Sequence, residues 1–186
     1  MSVRTRLATL GPLLICLLSI AAIGSLQAQE GERRAPVPEF VGTHRDWNVY
    51  KFQDSDETIC YMASEPKKQE GNYTRRGNPA VLVTRRPGSR VVYEVSVQPG
   101  YSYAEGSDVE VQIDRQKFLL FTRGEHAWAP REEDDQNLIN AMKRGANMTV
   151  RGTSSRNTYS LDTYSLLGFT AAYDAMVDAC SEAASS

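Results

Sequence analysis

This chain has little of what an enzyme or a metalloprotein displays in its sequence. Among 186 residues there are two histidines, His44 and His126, and three cysteines. Neither His-x-x-x-His nor Cys-x-x-Cys occurs, so the common ligand spacings of a zinc site are missing. No Gly-x-Ser-x-Gly elbow is present. Gly71 and Gly77 flank Arg75-Arg76, but no phosphate-loop pattern follows them. We therefore expect no metal, no cofactor and no catalytic residue. A basic excess is also missing, which argues against nucleic acid as a partner. No internal repeat or low-complexity segment stands out. The one long apolar stretch, Leu10 to Ile23, falls short of the about 20 residues that a membrane span needs.

What the chain does have is an address. Arg4 and Arg6 precede that apolar stretch, and Gly24-Ser25-Leu26-Gln27-Ala28 follows it. A positive start, a short apolar centre and small residues at the end form the pattern of a secretory signal peptide over residues 1–28. An uncleaved anchor is the alternative. Cleavage leaves residues 29–186, one domain's worth. Nineteen basic residues then face 23 acidic ones, a net of −4. A chain of this size buries about 70% of its unfolded surface, enough for a core without a metal. Residues 29–44 hold Arg33-Arg34, Pro36, Pro38 and Gly42 and show no periodicity. They read as a flexible leader before a domain over residues 45–182.

Cys16 leaves with the signal, and Leu14 and Ile15 before it are not the small residues of a lipobox. Cys60 and Cys180 remain. An exported compartment favours a disulfide, and two cysteines allow one intramolecular pairing. In the chain-entropy model, closing a loop this long contributes on the order of 5 kcal/mol. Two free buried thiols are the alternative.

Short apolar or alternating runs dominate the rest. Trp47–Phe52 and Thr58–Ala63 flank the polar Asp54-Ser55-Asp56-Glu57 and read as a hairpin. Residues 64–79 read as loop. Ala80–Thr84 is a continuous apolar run fit for a buried strand. After the turn Arg86-Pro87-Gly88-Ser89, residues Arg90 to Val97 alternate as a half-buried strand does. Val109, Val111 and Ile113 form one more, joined through Asp114-Arg115 to Gln116–Thr122. Asn147–Gly152 and Asn157–Leu161 complete the set, linked by Thr153-Ser154-Ser155-Arg156. About eight short strands with regular turns suggest a sandwich or a barrel.

Two helices are expected among them. Over residues 132–144, acidic Glu132, Glu133, Asp134 and Asp135 open the segment, and Lys143 and Arg144 close it. Those charges complement a helix dipole, and Gly145 suits the position after the last turn. The acidic group needs no cation to explain it. Near 168–182, Phe169, Ala172, Met176 and Cys180 recur on one helical face, where Cys180 can reach Cys60. Ser181 to Ser186 reads as a frayed tail.

Two groups of residues are candidates for binding. Lys67, Lys68, Arg75, Arg76, Arg85, Arg86 and Arg90 fall within 24 positions of an otherwise acidic chain. An anionic partner is one reading: lipopolysaccharide phosphate, an acidic glycan or a host surface. Solvated loops and protected strand edges are the other. Tyr73, Tyr101, Tyr103 and Trp128 lie in or near loops, where aromatic faces could meet a sugar or could simply pack. His126 with Glu125 or a nearby Asp is the one acid–base pair to name if the protein were a hydrolase.

Several segments together resemble a known family. They are Gly77-Asn78-Pro79-Ala80-Val81-Leu82-Val83-Thr84-Arg85-Arg86-Pro87, Pro99-Gly100-Tyr101, Phe118-Leu119-Leu120-Phe121-Thr122 and Ala127-Trp128-Ala129. Ala141-Met142-Lys143-Arg144-Gly145 and Thr163-Tyr164-Ser165-Leu166-Leu167-Gly168-Phe169-Thr170-Ala171-Ala172 follow, before Cys180. In this order, after a signal peptide, they are similar to the invasion-associated locus B family of bacterial exported proteins. The resemblance covers residues 45–180. It implies a single β-sandwich in the periplasm or outer envelope of a Gram-negative bacterium, or released from it. It carries no catalytic residue. Asn157 stands where a turn glycine is expected, and asparagine tolerates a positive φ.

The expected fold is thus all-β: a two-sheet, immunoglobulin-like sandwich with one or two short helices and a Cys60–Cys180 bridge. The expected role is binding an envelope component or host surface, through protein or anionic glycan, in support of host-cell adhesion or invasion. A periplasmic structural or chaperone-like factor and a hydrolase of envelope polymers are the alternatives.

Overall fold

The computed structural model describes residues 37–55 and 57–182. The expected signal peptide, residues 29–36 of the expected leader and the last four residues of the tail lie outside them. The strands are β1 (Glu39–His44), β2 (Trp47–Asp54), β3 (Glu57–Ser64), β4 (Lys68–Gly71), β5 (Ala80–Arg85), β6 (Tyr93–Gln98), β7 (Asp108–Ile113), β8 (Gln116–Arg123), β9 (His126–Trp128), β10 (Asn147–Thr153) and β11 (Tyr159–Ser165). The helices are α1 (Glu132–Arg144) and α2 (Phe169–Glu182).

The all-β sandwich with short helices is what forms. One run is β1-β2-β3-β5-β6 and the other is β8-β7-β10-β11-β4. The runs are not separate sheets, because β9 pairs with β6 at Val97 and Ser96 and with β8 from Phe121 to Arg123. Strand alternation turns Val49, Met62, Val83 and Val95 of the first run to one face. It does the same for Val111, Val150, Met148 and Ile113 in the second. All eight are buried in one common core. Full burial of such side chains stabilises by about 1.5–3 kcal/mol each. The runs also bond to each other directly: the Trp47 indole N–H on β2 donates to the Ser165 carbonyl on β11 at 3.1 Å.

The stripe expected on the last helix is buried at Phe169, Ala172, Met176 and Cys180. It packs α2 on β2 and β3, with Phe169 edge-on to Trp47 at 5.0 Å. Cys60 and Cys180 form the expected disulfide, with Cα atoms 5.8 Å apart. The helix continues through Ser181 and Glu182, where a frayed tail was expected.

Several expectations need correction. The leader is a strand over its last six residues, Glu39–His44, paired with β2. The loop over 64–79 contains β4, an exposed edge strand bonded to β11. The strand expected from Arg90 begins at Tyr93, because the Arg86 N–H reaches the Val92 carbonyl at 2.9 Å and widens the turn. Gly145 ends α1 with φ −79°, not in the left-handed region. It is there for space: a Cβ would meet Ile113 Cγ2 at 2.5 Å and Leu166 Cδ1 at 2.9 Å.

Candidate functional site

The β5–β6 hairpin divides the basic residues. Arg75 and Arg76 precede β5, whereas Arg85, Arg86 and Arg90 lie at its far end. Six residues at about 3.3 Å each separate the two ends by roughly 20 Å. The seven cations therefore do not form one patch, as strand geometry forbids it.

Several of the seven are already engaged. Lys67 Nζ lies 2.5 Å from Asp46 Oδ1, and this contact holds the Asp46 carboxyl below its ordinary range. Lys68 pairs with Glu70 at 2.9 Å. Arg85 donates from Nε to the Tyr93 hydroxyl at 3.3 Å. Arg76 is interior: its side chain and that of Asp162 are each 3% exposed, and they form a bidentate pair. Arg76 also donates to the Pro99 carbonyl at 3.2 Å and to Gln69 Oε1 at 2.9 Å, while its guanidinium lies over the Tyr73 ring. Its part is to hold the site together. Arg75, Arg86 and Arg90 have no carboxylate within ion-pair distance among the described residues.

The aromatic candidates separate in the same way. Tyr103 is buried, which pushes its hydroxyl far above the ordinary range, and it offers no exposed face. Tyr101 is half-buried and shares a 2.7 Å hydrogen bond with Ser160 Oγ. Trp128 belongs to another place altogether, stacked on His126 at 5.4 Å and beside Phe121. Glu125 and His126 line a pocket of about 250 Å³, where His126 Nε2 lies 2.9 Å from Gln98 Nε2.

One concavity does collect binding groups. About 250 Å³ in volume, it is lined by Tyr73, Arg75, Arg76, Tyr101, Ser102, Ser155, Arg156 and Thr158, among others. Three loops build it. The β4–β5 loop supplies Tyr73 and Arg75, the β6–β7 loop supplies Tyr101 and Ser102, and the β10–β11 turn supplies Ser155 and Arg156. The first two loops touch through backbone: the Gly77 N–H donates to the Gly100 carbonyl at 2.8 Å. Gly100 has φ +76°, and a Cβ there would meet the Gly77 oxygen at 2.4 Å, so only glycine allows this approach. The first loop is tied to the start of β11, just past the third, by Asn72 Oδ1, which accepts the Tyr159 N–H at 2.7 Å.

Two exposed guanidinium groups, Arg75 and Arg156, thus border a pocket edged with hydroxyls. Neither has a carboxylate partner among the described residues. Of the carboxylates nearby, Asp162 beneath the pocket is neutralised by Arg76, and Glu125 accepts from the Ser102 hydroxyl at 3.5 Å at its edge. Such an arrangement suits a phosphate, sulfate or carboxylate, with guanidinium forks for its oxygens. Arg156 was not among the sequence candidates. It sits in a polar turn 81 positions after Arg75, and no local pattern links the two. Among the described residues no cluster of metal-ligating side chains occurs, and no helix is long and apolar enough to cross a membrane.

No curated protein matches this chain, and no solved structure does. A family model, the invasion associated locus B (IalB) protein, matches residues 47–177, from the start of β2 into α2. That span takes in all three loops of the pocket and most of the chain, which therefore belongs to the invasion associated locus B family.

Proposed function

We propose that this protein is an exported interaction protein of the bacterial cell envelope, acting by binding and not by catalysis. Its ligand is an anionic group, taken up between Arg75 and Arg156. The carrying observation is that Arg75 and Arg156, neither with a carboxylate partner among the described residues, line one pocket with Tyr73, Ser102, Ser155 and Thr158. The disulfide supports an oxidising compartment. The family name supports a part in host-cell invasion. The anion could be a lipid phosphate of the envelope or the carboxylate or sulfate of an acidic glycan.

The test is capture of lipopolysaccharide and of a sulfated polysaccharide by the oxidised protein across a salt series. Exposed ion pairs are screened as salt rises, so capture should fall steeply. Capture that ignores salt, or none with either ligand, would contradict the proposal.

A second reading rests on β1. It is an edge strand, with Phe40 55% and Val41 39% exposed. Such an edge can pair with a further strand, as a structural or chaperone-like factor would require. Sedimentation of Phe40→Lys beside the parent would test this reading.

A further inference from the structure

A second cavity lies away from the arginine pocket and has the opposite chemistry. Phe121 on β8 and Trp128 on β9 are cross-strand neighbours with ring centroids 5.7 Å apart. Phe121 is 42% exposed and Trp128 half-buried. With Val91 and Pro130 they wall a cleft of about 350 Å³. Its polar side is acidic: Glu94 comes from β6, and Glu132 and Asp135 come from the first turn of α1.

Asp135 is the unusual member. As a residue of a helix start it should be solvated, yet it is 4% exposed. Its Oδ1 accepts the Val95 N–H at 2.8 Å. Among the described residues no donor reaches Oδ2, which is not sealed from solvent, and Asp135 lines the cleft. Two arginines also line it. Arg131 is committed to Asp134, at 2.8 Å and 3.0 Å. Among the described residues lining the cleft, Arg123 alone is left to offset three carboxylates.

We propose that this cleft binds a small organic cation: an ammonium group carried on an aromatic or short aliphatic body. The body would lie against Phe121 and Trp128, whose ring faces also attract positive charge. The ammonium would meet Asp135 and Glu132. A largely buried carboxylate gains from a cation, because burial is what disfavours its charge. A neutral body gains only the apolar contact, and an anion is repelled. This site goes beyond the anion-binding reading, and either can fail alone.

The same geometry sets a pH dependence. Burial first, then Glu94, Asp134 and Glu132, raise the Asp135 carboxyl to about 7, against the Val95 N–H, which lowers it. Arg123 and Arg131 are the cations on the facing side. A bound ammonium favours the charged carboxylate and so expels its proton. Affinity should then be about tenfold higher at pH 8 than at pH 6.

The experiment is a fluorescence titration of the oxidised protein. Trp128 reports on the cleft, and the fully buried Trp47 gives a constant background. The probes are benzyltrimethylammonium, benzyl alcohol and methyl glucoside. Saturable binding of the cation, about tenfold or more ahead of benzyl alcohol, is expected. Asp135→Asn, which keeps an acceptor for Val95, and exposed Glu132→Gln should each weaken it. Equal binding of benzyl alcohol, saturation by methyl glucoside in place of the cation, no saturable response, or unchanged affinity in both variants would overturn the proposal.

Discussion

Arg76 and Asp162 lie 86 positions apart in sequence and meet as a bidentate ion pair with both side chains 3% exposed. Their contact ties the β4–β5 loop to β11 under the arginine pocket. Removing one partner strands the other charge in the interior, which typically costs about 3–5 kcal/mol. Asp162→Asn should therefore lower stability by that order in urea unfolding. Arg76→Met combined with Asp162→Leu should cost much less, since apolar packing replaces both charges. A loss below about 1 kcal/mol in Asp162→Asn would show that the pair is not what holds the loop.

The disulfide joins β3 to α2 across a separation of 120 residues. Cross-linking so distant a pair restricts the unfolded chain, by about 5 kcal/mol in the entropy model. Cys60→Ser with Cys180→Ser should lower the urea midpoint strongly while the helix signal in circular dichroism persists. An unchanged midpoint would mean that packing of the Phe169–Cys180 stripe alone secures α2.

Asp135 should leave a mark on the pH profile of stability. Its carboxyl is raised from 3.8 to about 7 in the folded state, chiefly by burial. The folded protein then holds a proton that the unfolded chain has released. Its contribution is present below pH 4 and is lost as pH rises toward 7. Asp135→Asn should remove this fall, so that its stability relative to the parent improves from pH 4 to pH 8. Parallel profiles for the two proteins would contradict the shift.

What the sequence discloses follows from what has a local cause. Both helices stand where charge and apolar spacing put them, because dipole complementarity and a 3.6-residue stripe are written in consecutive residues. Asn157 adopts φ +58°, as its place in a turn required. β4 left no trace, since Lys68-Gln69-Glu70-Gly71 is exposed throughout and pairs only by backbone. Asp135 read as a helix-start carboxylate, and nothing nearby announced that β6 would supply a bare N–H to it. The basic cluster misled for a related reason. Nearness in sequence joined Arg75 to Arg85 across a strand that holds them apart, while its real neighbour, Arg156, comes from another hairpin. Contacts of this range depend on the closing of the sandwich, and no local signal carries them.

The anion site itself is best tested by comparing two sets of arginines. Arg75→Ser with Arg156→Ser removes the two guanidinium groups that border the pocket. Arg85→Ser with Arg86→Ser and Arg90→Ser removes three charges, one more, from the far end of the same hairpin. Binding of lipopolysaccharide and of a sulfated polysaccharide to each variant is the measurement to make. The pocket predicts that the first variant loses binding by tenfold or more, about 1.4 kcal/mol or beyond, while the second stays near the parent. Equal losses in both, or a loss confined to the second, would contradict it.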